Sequence, residues 1–109
     1  MLDPLPTYQT RIHALDAGRA DVRIHFENLP LDVEVRGRLM GPRCPGVTTV
    51  EVAYRLAPLA AASGIYQVLI PEPNFWAPEH PFRYEGPVEF WRNGELQGRL
   101  TISLGLRSA

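Results

Sequence analysis

The chain has 109 residues, a size typical of one domain, and 45% of them are hydrophobic, an ordinary fraction for a globular protein. Its 11 basic and 12 acidic residues give a net charge of −1 and form no basic run. The electrostatic signature of a nucleic-acid-binding protein is therefore missing, and we expect no nucleic-acid partner.

The cysteine content and the apolar runs limit the class of protein further. Cys44 is the only cysteine, so an intramolecular disulfide is impossible. The apolar stretches are too short to span a bilayer, and the N-terminal residues lack the pattern of a signal peptide. We therefore expect a cytoplasmic chain without a membrane partner, folded as a single domain over residues 1–109.

Alternation of apolar and polar residues recurs along the chain and predicts strands rather than helices. The 11 prolines and nine glycines cluster between the alternating runs, as expected at strand boundaries. Seven strands are predicted, at residues 8–15, 22–27, 32–39, 50–56, 65–70, 83–91 and 100–106. Because about seven strands are typical of an immunoglobulin-like sandwich, we predict an all-β fold, an immunoglobulin-like antiparallel β-sandwich.

Three connections have the composition of hairpin turns. Residues 16–18 separate the first two predicted strands, residues 28–30 the next two, and Asn93-Gly94 the last two. Residues 57–63 alone are suited to a helical turn, which Gly64 would end.

The alternation also predicts which side chains point into the core. In the fourth strand the inward set is Val50, Val52, Tyr54 and Leu56. In the sixth strand Gly86 and Pro87 interrupt the pattern, and because proline donates no backbone hydrogen bond we expect a bulge or an edge position there. If Val88 and Phe90 point inward, Trp91 points outward.

The sequence offers no recognisable set of catalytic or metal-binding residues. The four glutamates Glu72, Glu79, Glu85 and Glu89 are expected on the solvated surface. His13, His25 and His80 lack the short spacing of metal ligands, and Cys44 lies in a predicted turn. We therefore predict no enzyme activity, no catalytic residue, no metal and no cofactor.

Aromatic residues and prolines concentrate in residues 71–84. Prolines at four positions predict a stiff, extended loop, and the aromatic residues of this segment are Phe75, Trp76, Phe82 and Tyr84. These aromatic side chains either seal one end of the sandwich or form a platform that stacks on a sugar or an apolar side chain.

This loop and the end of the chain resemble a known module. Residues 75–84 read F-W-A-P-E-H-P-F-R-Y and are followed by a strand, a glycine-containing turn, a last strand and Gly105-Leu106-Arg107. The pattern is similar to the central immunoglobulin-like sandwich of family-two glycoside hydrolases, where the loop reads approximately L-W-S-P-E-x-P-x-L-Y and the last strand ends in G-F-R or G-I-R. The matching positions are Trp76, Pro78, Glu79, Pro81, Tyr84, Gly105 and Arg107.

The resemblance implies a supporting role rather than catalysis. In the β-galactosidase, β-glucuronidase and β-mannosidase group both catalytic carboxylates belong to a separate barrel, and this chain contains no barrel. The sandwich there is a spacer and a buttress. By this resemblance Trp76 and Tyr84 are expected to be structural, and Arg107 to fix the exit strand. The chain departs from the family at Gly86-Pro87, where the family strand is continuous, and at Leu106.

Two functions follow as hypotheses. The first is a non-catalytic structural or protein-interaction module, whose exposed sheet edges bind a protein partner or a second copy of the chain. The alternative is a carbohydrate-binding module that uses surface aromatics, with Trp91 as the best candidate and Trp76 and Tyr84 as further ones.

Overall fold

A computed structural model describes residues 2–59 and 64–107, and this part of the chain contains strands and no helix. It therefore holds no helix of the length and apolarity that a bilayer crossing requires. The eight strands are β1 (Thr7–Leu15), β2 (Arg19–Glu27), β3 (Glu34–Arg43), β4 (Val52–Arg55), β5 (Ala57–Pro58), β6 (Ile65–Pro71), β7 (Arg83–Arg92) and β8 (Glu95–Leu104).

The strands form two four-stranded sheets in which every neighbouring pair is antiparallel. One sheet has the order β1-β2-β6-β5 and the other β4-β3-β7-β8. When the strands are lettered in chain order, the first sheet corresponds to the ABED sheet of an immunoglobulin fold. Strands β3, β7 and β8 correspond to its CFG sheet, with β4 added at the edge. The predicted all-β, immunoglobulin-like sandwich is confirmed, with one more short strand, β5, than the alternation predicts.

The core lies between the two sheets and is built from the inward positions of both. Phe26 of β2 meets Phe90 of β7 edge to face across it, with ring centroids 5.7 Å apart. The largest fully buried side chains are Tyr84, Phe90, Ile24, Leu39, Ile70, Ile102, Leu106, Val22, Val68 and Val88. Each such apolar side chain contributes roughly 1.5–3 kcal/mol by leaving water, which makes this layer the main source of stability.

Two of the three predicted hairpin turns are confirmed. Asp16 closes the β1–β2 turn by accepting hydrogen bonds from the N–H groups of Gly18 and Arg19 through Oδ1, at 2.8 and 3.0 Å. Asn93 and Gly94 have φ values of 50° and 77°, the left-handed pair that a tight two-residue hairpin requires.

The prediction for residues 28–30 is wrong, because β2 and β3 belong to different sheets. This connection crosses from one sheet to the other, as the second connection of an immunoglobulin topology does. Composition alone predicts a change of chain direction here. It does not determine whether the following strand pairs with the preceding one.

The prediction of a bulge or edge position at Gly86 and Pro87 is also wrong. Strand β7 is continuous through both residues and lies inside its sheet, between β3 and β8. A Cβ atom on Gly86 would lie 2.0 Å from the carbonyl oxygen of Arg38, so the missing side chain lets β3 approach closely. The bulge of the β7–β8 pair lies instead between Phe90 and Trp91.

The prediction for the fourth strand holds for its second half only. Leu56 is buried and Tyr54 packs against the core, whereas the exposed fractions of Val50 and Val52 are 86% and 46%. Strand β4 begins only at Val52 and lies at the edge of its sheet, where the opposite sheet leaves these two valines uncovered. The helical turn expected at residues 57–63 is replaced at its start by β5, and residues 60–63 lie outside the described residues.

Candidate interaction surface

The residues that carry the family resemblance meet at one end of the sandwich. The indole of Trp76 packs on the backbone of Gly105, and the guanidinium carbon of Arg107 lies 4.6 Å from the ring centroid. The backbone N–H of Trp76 donates a 2.7 Å hydrogen bond to the carbonyl of Leu106. Loop residues 71–84 are thereby attached to the segment that follows β8.

Tyr84 is held in the same end of the structure, beneath the loop. Its side chain is 1% exposed, and its hydroxyl accepts a 2.9 Å hydrogen bond from the N–H of Asn74. Burial raises the pKa of Tyr84 above the ordinary value of 10.0, and the hydrogen bond from Asn74 opposes this shift. A buried ring offers no stacking face to a sugar.

Trp91 lies on the outer face of the other end of β7, half-buried rather than open. Its Nε1 donates a 3.3 Å hydrogen bond to Glu89, and the guanidinium carbon of Arg36 lies 4.7 Å from its ring centroid. Trp91 lies seven positions after Tyr84 along β7, about 23 Å at 3.3 Å per residue. The three sequence-predicted binding residues therefore do not form one site.

The glutamates of β7 are engaged by arginines. Arg43 donates to Glu85 at 2.9 Å, and Arg99 donates to Glu89 at 2.7 Å. The hydrogen bond from Arg99 is the main cause that lowers the pKa of Glu89 below the ordinary value of 4.5. A general acid needs a raised pKa, whereas this environment favours the charged form of the Glu89 carboxylate, which accepts the ion pair from Arg99.

His13 and His25 line one surface pocket together with Arg11 and Arg23, whereas Cys44 lies in a different part of the structure. His13 occupies the β1 bulge, and Arg11 lies directly opposite Arg23 beside it. No group of three potential metal ligands occurs within residues 2–59 and 64–107. Cys44 is buried in the turn after β3, where its carbonyl accepts from the N–H of Val47 at 3.1 Å.

One surface that the sequence did not indicate is the free edge of β4. Residues 47–51 lead from the turn after β3 into the four-residue strand β4, and in the run 47–55 the apolar side chains of Val47, Val50 and Val52 are exposed by 43%, 86% and 46%. Such a run combines high strand propensity with a single acidic residue, Glu51, and no proline. An exposed edge with these properties is a template for pairing with another strand.

The direction of the unpaired backbone groups follows from one hydrogen bond. The N–H of Leu56 donates to the carbonyl of Gly37 at 3.0 Å, which makes these two residues a hydrogen-bonded pair of the β3–β4 ladder. Because such pairs alternate along an antiparallel ladder, the N–H and C=O groups of Ala53 and Arg55 point away from β3. They are therefore oriented toward a strand that would extend the sheet.

The charges beside this edge are unbalanced. Arg38 lies directly opposite Arg55 on the outer face, and neither has an ion-pair partner within the part of the chain that the structure describes. Like charges at opposed positions destabilise a strand pair. Glu51, the nearby acid of the same edge, is paired with Arg43.

The other long edges are better protected. Strand β1 carries the bulge at His13 and the charged Arg11, two features that discourage pairing. At β8 the N–H of Leu2 donates to Gln97 at 3.1 Å, and Leu5 packs against Gly98. The β4 edge also carries a charged residue, Arg55, but within the described residues it has neither a bulge nor a segment hydrogen-bonded along its free side.

Comparison with known proteins assigns no family to this chain. No protein-family model matches the chain, and no curated protein matches its sequence.

Proposed function

We propose that this chain is a non-catalytic protein-interaction module that binds an extended strand of its partner at the β4 edge. The observation that carries the proposal is the exposed run from Val47 to Arg55, with backbone groups of Ala53 and Arg55 directed outward. Main-chain hydrogen bonds supply affinity in strand addition, and the alternating side chains supply specificity. The exposed Val50 and Val52 are suited to contact such a strand.

The resemblance to the accessory sandwich of family-two glycosidases supports the same class of function. In those enzymes the corresponding domain is a spacer and a buttress, which is a role exerted through contacts with other protein segments. The packing of Trp76 on Gly105 and under Arg107 is consistent with the structural roles that the resemblance implies for these residues.

The proposal is tested with isotopically labelled protein and short extended peptides rich in valine and threonine, prepared in acidic, neutral and basic versions. We expect amide resonances of Ala53 and Arg55 to shift most. The acidic peptide should bind best, because Arg38 and Arg55 have no ion-pair partner among the described residues. Shifts confined to β1 or β8, or no saturable shift with any peptide, would overturn the proposal.

A carbohydrate-binding module is the second candidate, favoured by the position of Trp91 on the outer face beside Arg36 and Glu89. A panel of soluble oligosaccharides is titrated while tryptophan emission is recorded, with Trp91→Ala and Trp76→Phe as paired variants. A saturable change lost only in Trp91→Ala supports sugar binding. An emission unchanged by every sugar removes this candidate and leaves the strand-binding proposal in place.

A further inference from the structure

We infer that the partner strand is β4 of a second copy of this chain, paired antiparallel about a two-fold axis that passes beside Ala53. This inference rests on the proposed function, since it names the partner of the same edge. Most homodimers have two-fold symmetry, so a surface that binds its own copy must be complementary to itself. The β4 edge satisfies this condition in its backbone, its charges and its apolar side chains.

The backbone groups fit the two-fold arrangement. With the axis at Ala53, the residue opposite Ala53 is the second copy's Ala53, and the residue opposite Glu51 is the second copy's Arg55. The ladder phase set by Leu56 directs the N–H and C=O groups of Ala53 and Arg55 outward, and Glu51, just before β4, takes the same phase when the strand extends by one residue on pairing. The central Ala53 pair exchanges two hydrogen bonds, and with β4 extended to Glu51 the two Glu51–Arg55 pairs raise the number to about six.

The charges favour this register over its neighbours, because an axis at Val52 or Tyr54 forms no Glu51–Arg55 pair. A two-fold axis at Glu51 or at Arg55 would place identical charges opposite each other, which is unfavourable. An axis at Ala53 instead places each Glu51 against an Arg55, twice in the dimer, so that the Glu51 carboxylate is shared between Arg43 of its own chain and Arg55 of the second copy. The carboxylate from the second copy would also reduce the repulsion between Arg55 and Arg38, which face each other in one chain.

The apolar side chains on the inner side of the edge complete the match. In this register Val52 lies opposite the second copy's Tyr54. Val52 is 46% exposed in the single chain, and Tyr54 is only partly buried, so pairing removes apolar surface from water on both copies. The short edge limits the contact to the low end of specific interfaces, and the dimer is therefore reversible and dependent on concentration.

Charge reversal tests the register. Sedimentation equilibrium of the wild-type chain is expected to show the mass rising from 12.2 kDa toward twice that value as concentration increases. Glu51→Arg and Arg55→Glu should each remain monomeric, because each places like charges opposite each other twice. An equimolar mixture of the two variants should associate, since every opposed pair is then oppositely charged, and the double variant should again self-associate.

Two further variants test whether association occurs at the β4 edge rather than elsewhere on the chain. Ala53→Pro removes the central outward N–H while leaving the β3 ladder intact, and it should abolish association. Glu95→Arg, an exposed charge reversal at the start of β8, should associate as the wild type does.

A wild-type chain that stays monomeric at every concentration, or a Glu51→Arg variant that associates as the wild type does, would overturn the inference. Edge amide shifts with the peptides in a chain that never self-associates would overturn the second-copy partner and retain the proposed function. A chain that neither self-associates nor shows edge amide shifts with the peptides would overturn both the second-copy partner and the proposed function.

Discussion

The indole of Trp76 lies on the backbone of Gly105, so close that a Cβ atom at position 105 would be 2.6 Å from the ring. The contact joins the proline-rich loop to the chain just beyond β8. It also explains why a residue without a side chain occupies position 105, since no other residue leaves room for the indole there.

Replacement of Gly105 measures how much its contact with Trp76 contributes to the free energy of unfolding. We expect Gly105→Ala to lower the free energy of unfolding by about 1–3 kcal/mol, because the new methyl group must displace the ring. Urea denaturation followed by circular dichroism supplies the measurement. Gly18→Ala is the matched control, because its Cβ would approach only one atom, Asp16 Oδ1, and at the longer distance of 3.2 Å. Equal stability of the two variants would contradict the contact.

A second glycine tests the interior position of β7. Gly86→Ala should destabilise the chain by about 3 kcal/mol or more, because the added Cβ would collide with the backbone oxygen of Arg38, which cannot rotate away. The same denaturation experiment applies, and the comparison is with Gly105→Ala. A loss smaller than that of Gly105→Ala would show that β3 does not approach β7 as described.

The exposed valines and the buried leucine of residues 50–56 should respond differently to truncation. Val50→Ser and Val52→Ser are expected to change the free energy of unfolding by less than about 0.5 kcal/mol, since both side chains already face water. Leu56→Ala should cost about 2–5 kcal/mol by leaving a cavity. The three are measured at a concentration where the chain is monomeric, and similar losses for all three would contradict the exposure of the valines.

The buried phenol of Tyr84 predicts a dependence of stability on alkaline pH. Its pKa is raised on folding, so the folded state holds the proton more tightly. The resulting stabilisation is present below the unfolded pKa near 10 and is lost as the pH rises through the higher folded pKa. Tyr84→Phe should reduce this loss. It should also cost about 0.5–1.5 kcal/mol at neutral pH through the missing acceptor for Asn74.

The Tyr84 prediction is measured by urea denaturation at several pH values between neutrality and strongly alkaline solution. Tyr66→Phe is a useful comparison, since burial raises the pKa of Tyr66 in the same direction. If the wild type and Tyr84→Phe lose stability in parallel above pH 10, the phenol of Tyr84 is not the group responsible.

Glu89 provides a local signal at acidic pH. Arg99 and the indole N–H of Trp91 hold its pKa below 4.5, so its stabilising effect is present above the unfolded pKa and is lost as the pH falls through the folded one. In a Trp76→Phe background, the emission of Trp91 should change in this acidic range. Arg99→Gln should move the change to higher pH, and an unmoved transition would contradict the coupling.

The sequence was informative where side chains alternate without interruption, as in β2 and β8, because alternation follows directly from the geometry of a strand with one buried face. It failed at Val50 and Val52, whose apolar character matches a core strand although their segment lies at a sheet edge. It failed at Pro87 because the position of β3, which the sequence does not reveal, determines whether a strand interior can hold Gly86 and Pro87. Pairing between distant strands, and therefore the free edge of β4, is determined by tertiary contacts.

Arg43 binds Glu85 of β7 and Glu51 of the segment before β4 with one guanidinium group. The start of the exposed edge is thereby fixed to the central part of its sheet before any partner arrives. A strand already held in its extended form loses little conformational entropy when another strand docks on it. For the strand docking proposed above, Arg43 would therefore act as a preorganising residue, because it holds the start of this edge in place during folding.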